Sequence, residues 1–228
     1  MIEIVDKILS ILGESLPALI HGLELTIFLT FTSLLIGVFI GVIVAFMKIS
    51  HIRFLNGIAD VYLTVVRGLP LIVLIVILYF GITNIVTLSR FWAGVFALAF
   101  HNGAYIGEIF RGTIQSIDRG QMEASRSLGM TYFLSMRRII LPQAFKRAIP
   151  PLGNQFIIGL KDSSLVFVIG LNELWGTGQS IAARTLMQLE TYLIVGFFYL
   201  MMVLFFSWLV ERIERKLDVE GKREVIRL

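Results

Sequence analysis

The sequence predicts an all-α integral membrane protein with about five transmembrane helices in a single domain covering residues 1–228. Three observations predict it. The chain is 57% hydrophobic and 16% charged, where a water-soluble domain carries roughly 25% charged residues. Its mean hydropathy is +0.84, and a soluble globule this apolar would expose large patches. The apolar residues gather in runs long enough to cross a bilayer, and the basic residues gather between those runs. A net charge of +4 therefore reports membrane topology and not a nucleic-acid partner. There is no cysteine, which excludes disulfides and thiolate metal sites.

Residues 1–17 read as a short amphipathic, interfacial segment. Ile4, Ile8, Ile11 and Leu12 recur at helical spacing with acidic residues between them. Pro17 is expected to separate this segment from the first span. The segment lacks the basic start and cleavage site of a signal peptide, so the first span itself is expected to act as the membrane signal. That span runs over 19–47, longer than the roughly 20 residues a bilayer core needs. Gly37 and Gly41 within it form a pair of small residues that favours close helix packing.

The second span covers 57–81. Arg67, Gly68 and Pro70 imply a bend or break in it, with Arg67 reaching for the headgroups or a partner. The third span covers 91–110. Gly103 and Gly107 are four apart and make a packing stripe. Asn102, Tyr105 and Glu108 step by three residues and are expected to form a neighbouring polar stripe. A carboxylate this deep is costly in lipid and must face protein or water. An ordinary packed helix would pair Glu108 with a nearby basic residue such as Arg111; a pathway-lining helix would aim it at a solute.

The loop 111–151 carries Arg111, Arg119, Arg126, Arg137, Arg138, Lys146 and Arg147 against Asp118 and Glu123. Such an excess marks the cytoplasmic side. Within it, Glu123 and Ala124 open a short helix that Gly129 interrupts. A further turn follows, with Phe133, Met136 and Ile140 spaced to share a face. Pro142 is expected to stop or kink the chain.

The fourth span covers 152–171, with Lys161, Asp162, Ser163 and Ser164 at its middle. Adjacent residues point about 100° apart on a helix, so Lys161 and Asp162 cannot share a face. Either they join ion pairs between helices or they line a functional cavity, and intramembrane ionisable residues favour the second. Residues 172–190 form an outer loop. Asn172 is expected to cap a short helix over 173–175, and Gly176 and Gly178 to loosen the chain after it. The fifth span, 192–210, is an uncharged apolar run. The tail 211–228 mixes six basic and five acidic residues and reads as a solvated helix end. Basic loops at 48–53 and 111–147 and the basic tail place the N-terminus outside and the C-terminus in the cytoplasm.

The stretch Glu123-Ala124-Ser125, three residues, Gly129, nine residues, Ile139, one residue, Leu141-Pro142 resembles the signature cytoplasmic loop of permease subunits in bacterial ABC importers. The usual form begins Glu-Ala-Ala, so Ser125 departs from it. Arg67-Gly68-Leu69-Pro70, Asn102-Gly103-Ala104-Tyr105 with Glu108 and Arg111-Gly112, and Lys161-Asp162-Ser163-Ser164-Leu165 resemble the permeases for polar amino acids, the histidine, glutamine and arginine group. The resemblance runs from the first span to the tail. It implies the type I importer permease fold and a cytoplasmic coupling helix that docks on an ATP-hydrolysing subunit. Glu123, Ala124, Ser125, Gly129, Ile139, Leu141 and Pro142 would form that coupling segment. The partners it implies are a dimer of ABC ATPase subunits, a second permease, identical or sister, and an extracytoplasmic amino acid-binding protein, all at the cytoplasmic membrane.

The chain has no Gly-x-x-x-x-Gly-Lys-Ser/Thr phosphate loop, so no cofactor is expected in it. ATP and magnesium belong to the partner, and the chain is a transport subunit, not an enzyme. A polar amino acid such as glutamine, glutamate, histidine or arginine must exchange its water for protein groups. The ammonium needs carboxylates or carbonyls, and the carboxylate needs donors. Asn102, Tyr105, Glu108, Asp162, Ser163 and Ser164 are the candidate substrate residues. An ion-coupled secondary carrier would also bury charges, and it would often show inverted repeats; none stands out, and the coupling loop would have no role. A membrane enzyme would need a catalytic constellation, and His21, His51 and His101 share no metal-ligand spacing with one another.

Overall fold

The structure, a computed structural model, describes residues 2–82 and 86–217; from residue 218 on, the predicted tail lies outside the described residues. Among the described residues there are helices and connecting turns and no strand. The all-α architecture is the one that the apolar runs predict.

Helix α1, Ile2–Ile49, is continuous through Pro17. The expected separation at Pro17 does not occur. A proline removes one hydrogen bond from a helix, but Ile11 and Leu19 on either side of it pack into one cluster with Leu174, Ile181 and Ile194. That packing holds the two halves in line. At 1.5 Å per residue α1 is about 72 Å long, more than twice a bilayer's apolar core.

Helices α2, Arg53–Gly68, and α3, Leu71–Ile82, make up the predicted second span, and their axes bend by 108°. Leu69 takes extended backbone (φ −96°, ψ 140°), as sterics demand of a residue before proline, and Pro70 then starts the second helix. The break expected at Arg67–Pro70 is therefore a sharp elbow.

Helix α4, Arg90–Gln115, is the hub. Ser89 caps it by accepting from the Trp92 amide. It packs against α1, α2, α3 and α7, Leu141–Asp162. The two glycine pairs read from the sequence face each other across the α1–α4 seam. A Cβ at Gly41 would lie 2.6 Å from Ile106, and one at Gly103 would lie 2.8 Å from Ile40. By length and composition, the helices fit to cross a membrane among the described residues are Ile4–Ile49, Tyr132–Ile169 and Gln188–Lys216, with the α2–α3 pair a fourth if it counts as one span. The predicted third span is not among them. Its helix is charged near both ends and sheathed by protein, so it has little need of a continuous apolar surface.

Between α4 and α7 lie α5, Arg119–Ser127, and α6, Tyr132–Ser135. Asp118 caps α5 by accepting from the Gly120 amide at 2.6 Å, so this helix begins four residues earlier than Glu123. Pro142 neither stops nor breaks the chain. A π-turn over Met136–Ile140 precedes it, in which the Leu141 amide bonds the Met136 carbonyl. That wide turn displaces the regular ladder at the place where proline offers no N–H. Met136 and Ile140 pack on Ile117 and Ala144, whereas Phe133 is 72% exposed and does not share their buried face.

Helix α7 passes into a 3₁₀ turn, Ser163–Ile169, and the chain then reverses into α8, Leu174–Thr185, and α9, Gln188–Lys216. The cap of α8 is Glu173 and not Asn172. The Glu173 carboxylate accepts from the Trp175 and Gly176 amides at 2.9 and 2.8 Å, from the Tyr199 hydroxyl at 2.9 Å and from the Thr26 hydroxyl at 3.3 Å. One side chain thus ties α8 to α1 and α9. Gly176 and Gly178 do not loosen the chain. They lie inside α8, where a Cβ would meet the Leu171 carbonyl at 2.7 Å and Val195 at 2.5 Å.

Candidate functional site

The core of the site is the α4–α7 seam. These helices run antiparallel: Gly94 meets Val166, Asn102 meets Gln155, and the Phe110 ring meets that of Phe145. Asn102 is fully buried. The Gln155 amide donates to its carbonyl oxygen at 2.8 Å, and its own amide nitrogen has no partner among the described residues. Gly159 lies beside that nitrogen and leaves space where a side chain would be. The Nδ1 of neighbouring His101 also lacks a partner among the described residues.

One turn beyond Gly159 come Asp162, Ser163 and Ser164, where α7 tightens into the 3₁₀ turn. Asp162 is half-buried and makes no hydrogen bond or ion pair with any described residue, while Lys161 points outward beside it. The Ser163 hydroxyl donates to the Leu160 carbonyl and the Ser164 hydroxyl to that of Lys161, both at 2.7 Å. Both serines therefore keep only acceptor capacity. Ser163 and Asn102 are enclosed, so a ligand touches them only when the seam parts.

Tyr105 and Glu108 do not join Asn102. A step of three residues drifts by about 60° on a helix of 3.6 residues per turn, so two steps carry Glu108 about 120° round from Asn102. The predicted polar stripe winds off the α7 face and reaches α2. There Tyr105 and Glu108 line a cavity of about 660 Å³ with Lys48, Asp60, Leu63, Thr64, Arg67, Gly68 and Arg111. Arg111 grips both oxygens of Glu108 at 3.0 and 2.8 Å, which is the pairing of an ordinary packed helix. Arg67 lies 3.8 Å from Glu108 and stacks over the Tyr105 ring at 5.5 Å. Lys48 holds Asp60 at 2.6 Å. Along the antiparallel seam, Glu108 and Asp162 lie on opposite sides of the level at which Asn102 meets Gln155. The two candidate carboxylates thus belong to two sites.

At the basic end, Glu123, Ala124 and Gly129 are exposed, while Ser125 is buried with its hydroxyl donating to the Met122 carbonyl. The departure from Glu-Ala-Ala therefore falls on the inward face. Gly129 has φ +84°, a left-handed conformation that glycine adopts freely. It ends α5, with its amide bonded to the Arg126 carbonyl and that of Met130 to the Ser125 carbonyl. Ile139 and Leu141 are half-buried, Leu128, Tyr132 and Phe133 are exposed, and Pro142 lies at the surface.

Gln155 is absent from the residues read from the sequence. A signal for it existed: residues 155, 159 and 162 fall on one face of a helix, and Gln155 is polar inside an apolar run. Lys48 and Asp60 are absent from the residues read from the sequence too: Asp60 lies seven residues before Arg67 on one face of α2, and only the packing of α1 on α2 brings Lys48 to it. Among the described residues no three His, Asp or Glu side chains group as metal ligands.

Residues 37–219 match the family model of the binding-protein-dependent transport system inner membrane component. The chain is 37% identical to the arginine transport system permease protein ArtQ of Bacillus subtilis strain 168, over 89% of this chain and 93% of that one. It is also 37% identical to the glutamine transport system permease protein GlnP of Escherichia coli K12, over 92% and 97%. In fold it superposes on a chain from the crystal structure of an amino acid ABC transporter with histidines, with a TM-score of 0.86, 42% identity, and coverage of 91% and 97%.

Proposed function

Because the chain belongs to the family of inner membrane components of binding-protein-dependent transport systems, we propose that it forms the pathway by which polar L-amino acids cross the cytoplasmic membrane. As a non-catalytic permease subunit of an ABC importer it leaves ATP hydrolysis to a partner, and the ion-coupled carrier weighed above is set aside. Relatives named for arginine and glutamine transport support the substrate class.

The observation that carries the site is the unpaired Asp162 on the same α7 face as Gln155, whose partner Asn102 keeps a free amide. An unpartnered carboxylate and an unpartnered amide donor on facing helices suit the two charged groups of an amino acid. Asp162 takes the ammonium, with Ser163 and Ser164 as further acceptors, and Asn102 donates to the α-carboxylate. Tyr105 and Glu108 stand on the path further towards the basic end.

In this reading the N-terminus is outside and the basic end is cytoplasmic. Two ATPase subunits, which bind ATP and magnesium, dock on Glu123, Ala124 and Gly129, with Ser125 packed behind them, over the turn of Ile139, Leu141 and Pro142. A second permease, identical or sister, completes the pathway, and a binding protein delivers solute at the α8 end. ATP draws the two coupling segments together and the seam opens outward; hydrolysis resets it.

The test uses the chain co-expressed with candidate ABC ATPases and placed in lipid nanodiscs. ATP hydrolysis is measured as binding proteins loaded with single amino acids are added. Stimulation by one amino acid supports the importer reading and names the substrate. No co-purifying ATPase and no stimulation would overturn it.

A further inference from the structure

The cavity between α1, α2 and α4 is separate from the α4–α7 seam, and its chemistry differs. Asp60, Thr64 and Arg67 are spaced i, i+4, i+7 and present one face of α2 to it. Arg67 is 45% exposed and donates no hydrogen bond to a described residue; its nearest carboxylate, Glu108 at 3.8 Å, is already gripped by Arg111. The Thr64 hydroxyl has no partner among the described residues either. Lys48 engages one oxygen of Asp60, and the 60% exposed carboxylate keeps its other oxygen free. Gly57 and Gly68 leave open space beside α2. A volume of about 660 Å³ lies within the ~300–1,000 Å³ of small-molecule sites.

A planar cation with free donors, a hydroxyl and a carboxylate in one row match a group that carries its own carboxylate and ammonium close together. We infer that this cavity is a second, inner station for a free amino acid. Arg67 holds the α-carboxylate, Asp60 the ammonium and Thr64 bridges them. The inference rests on the transport reading above and adds a position nearer the basic end than Asp162, on the far side of Asn102. Because the row reads only what all amino acids share, the inner station is indifferent to the side chain. It receives the solute after the seam has released it.

The experiment is equilibrium dialysis of the permease–ATPase complex in nanodiscs against radiolabelled L-glutamine and, separately, L-arginine. The expected stoichiometry is two molecules per permease chain, falling to one in Arg67→Gln and to one in Asp162→Asn. Unlabelled glycine, a zwitterion without a side chain, displaces the molecule left in Asp162→Asn. Thr64→Val, which leaves the ion cluster whole, weakens the inner molecule about five-fold, the worth of one hydrogen bond. A single molecule per chain, lost in Asp162→Asn and untouched by Arg67→Gln and Thr64→Val, would overturn the inner station and leave the transport reading standing. A cavity that loses bound phospholipid on Arg67→Gln, with no change in amino acid stoichiometry, would overturn it too. No bound amino acid in any variant would overturn both.

Discussion

Gly129 holds a conformation that costs other residues about 1–2 kcal/mol, and a Cβ there would meet nothing within 4 Å. A substitution at this place thus strains the backbone without clashing. Gly129→Val is expected to unwind the end of α5 and to abolish ATPase co-purification, while bound amino acid is retained in binding measurements; unchanged co-purification would separate this turn from the docking surface. Asp162 is the opposite case, a side chain that holds nothing together in the chain as described. Asp162→Asn is expected to lower uptake in proteoliposomes at least ten-fold, with the permease–ATPase complex still assembling. Normal uptake would remove Asp162 from the site. Glu173 is structural by the same reasoning, since four donors converge on its carboxylate. Replacing it with Gln turns one acceptor into a donor facing donors, and Glu173→Gln should cost about 1–3 kcal/mol in thermal unfolding. Asp162, Asn102 and Gly129 were legible in the sequence because each breaks a local rule, a charge or amide inside a span or a glycine inside a helix. The pairings of Gln155 with Asn102 and of Lys48 with Asp60 owe their place to helix packing, which no single run of residues encodes.

At the scale of elements, the α1–α4 seam was readable because spacing by four residues puts Gly37 with Gly41, and Gly103 with Gly107, on one face each. What the spacing could not give is which glycines are packed and which are free. A Cβ at Gly41 would press on Ile106 at 2.6 Å, whereas one at Gly57 meets nothing within 4 Å. Gly41→Ala should therefore destabilise the protein by about 1–3 kcal/mol through overpacking. Gly57→Ala should stabilise α2 by up to ~1 kcal/mol through helix propensity. Thermal unfolding of both variants in one detergent checks the contrast, and equal shifts would discount the seam. The prolines were less legible for a related reason. A proline in isolation breaks a helix, yet Pro17 is held by packing on both sides and Pro142 by the π-turn before it. Pro70 does break its helix, because it forces Leu69 into extended backbone, and Leu74 packing on the cluster of Leu63 and Val66 holds the 108° elbow.

For the whole molecule, charge asymmetry and exposure combine into a statement about sidedness. Residues Arg53, Arg119, Arg126, Arg137, Arg138, Lys146 and Arg147 are exposed or half-exposed at one end of the bundle, and α8 closes the other. An excess of Lys and Arg in short loops belongs on the cytoplasmic side. Hydropathy alone could not have settled the orientation, nor shown that α4 is wrapped by protein, because an apolar run looks the same whether lipid or a neighbouring helix covers it. The absence of cysteine makes the orientation directly measurable, since any introduced thiol is the only one in the chain. Leu128, at the end of α5, is 83% exposed and Leu186, at the end of α8, is 84% exposed, so a thiol at either is open to reagent. Intact cells treated with a membrane-impermeant maleimide should label Leu186→Cys, and Leu128→Cys only after lysis. Labelling of Leu128→Cys in intact cells would invert the topology, and it would move the coupling segment to the face where no ATPase can reach it.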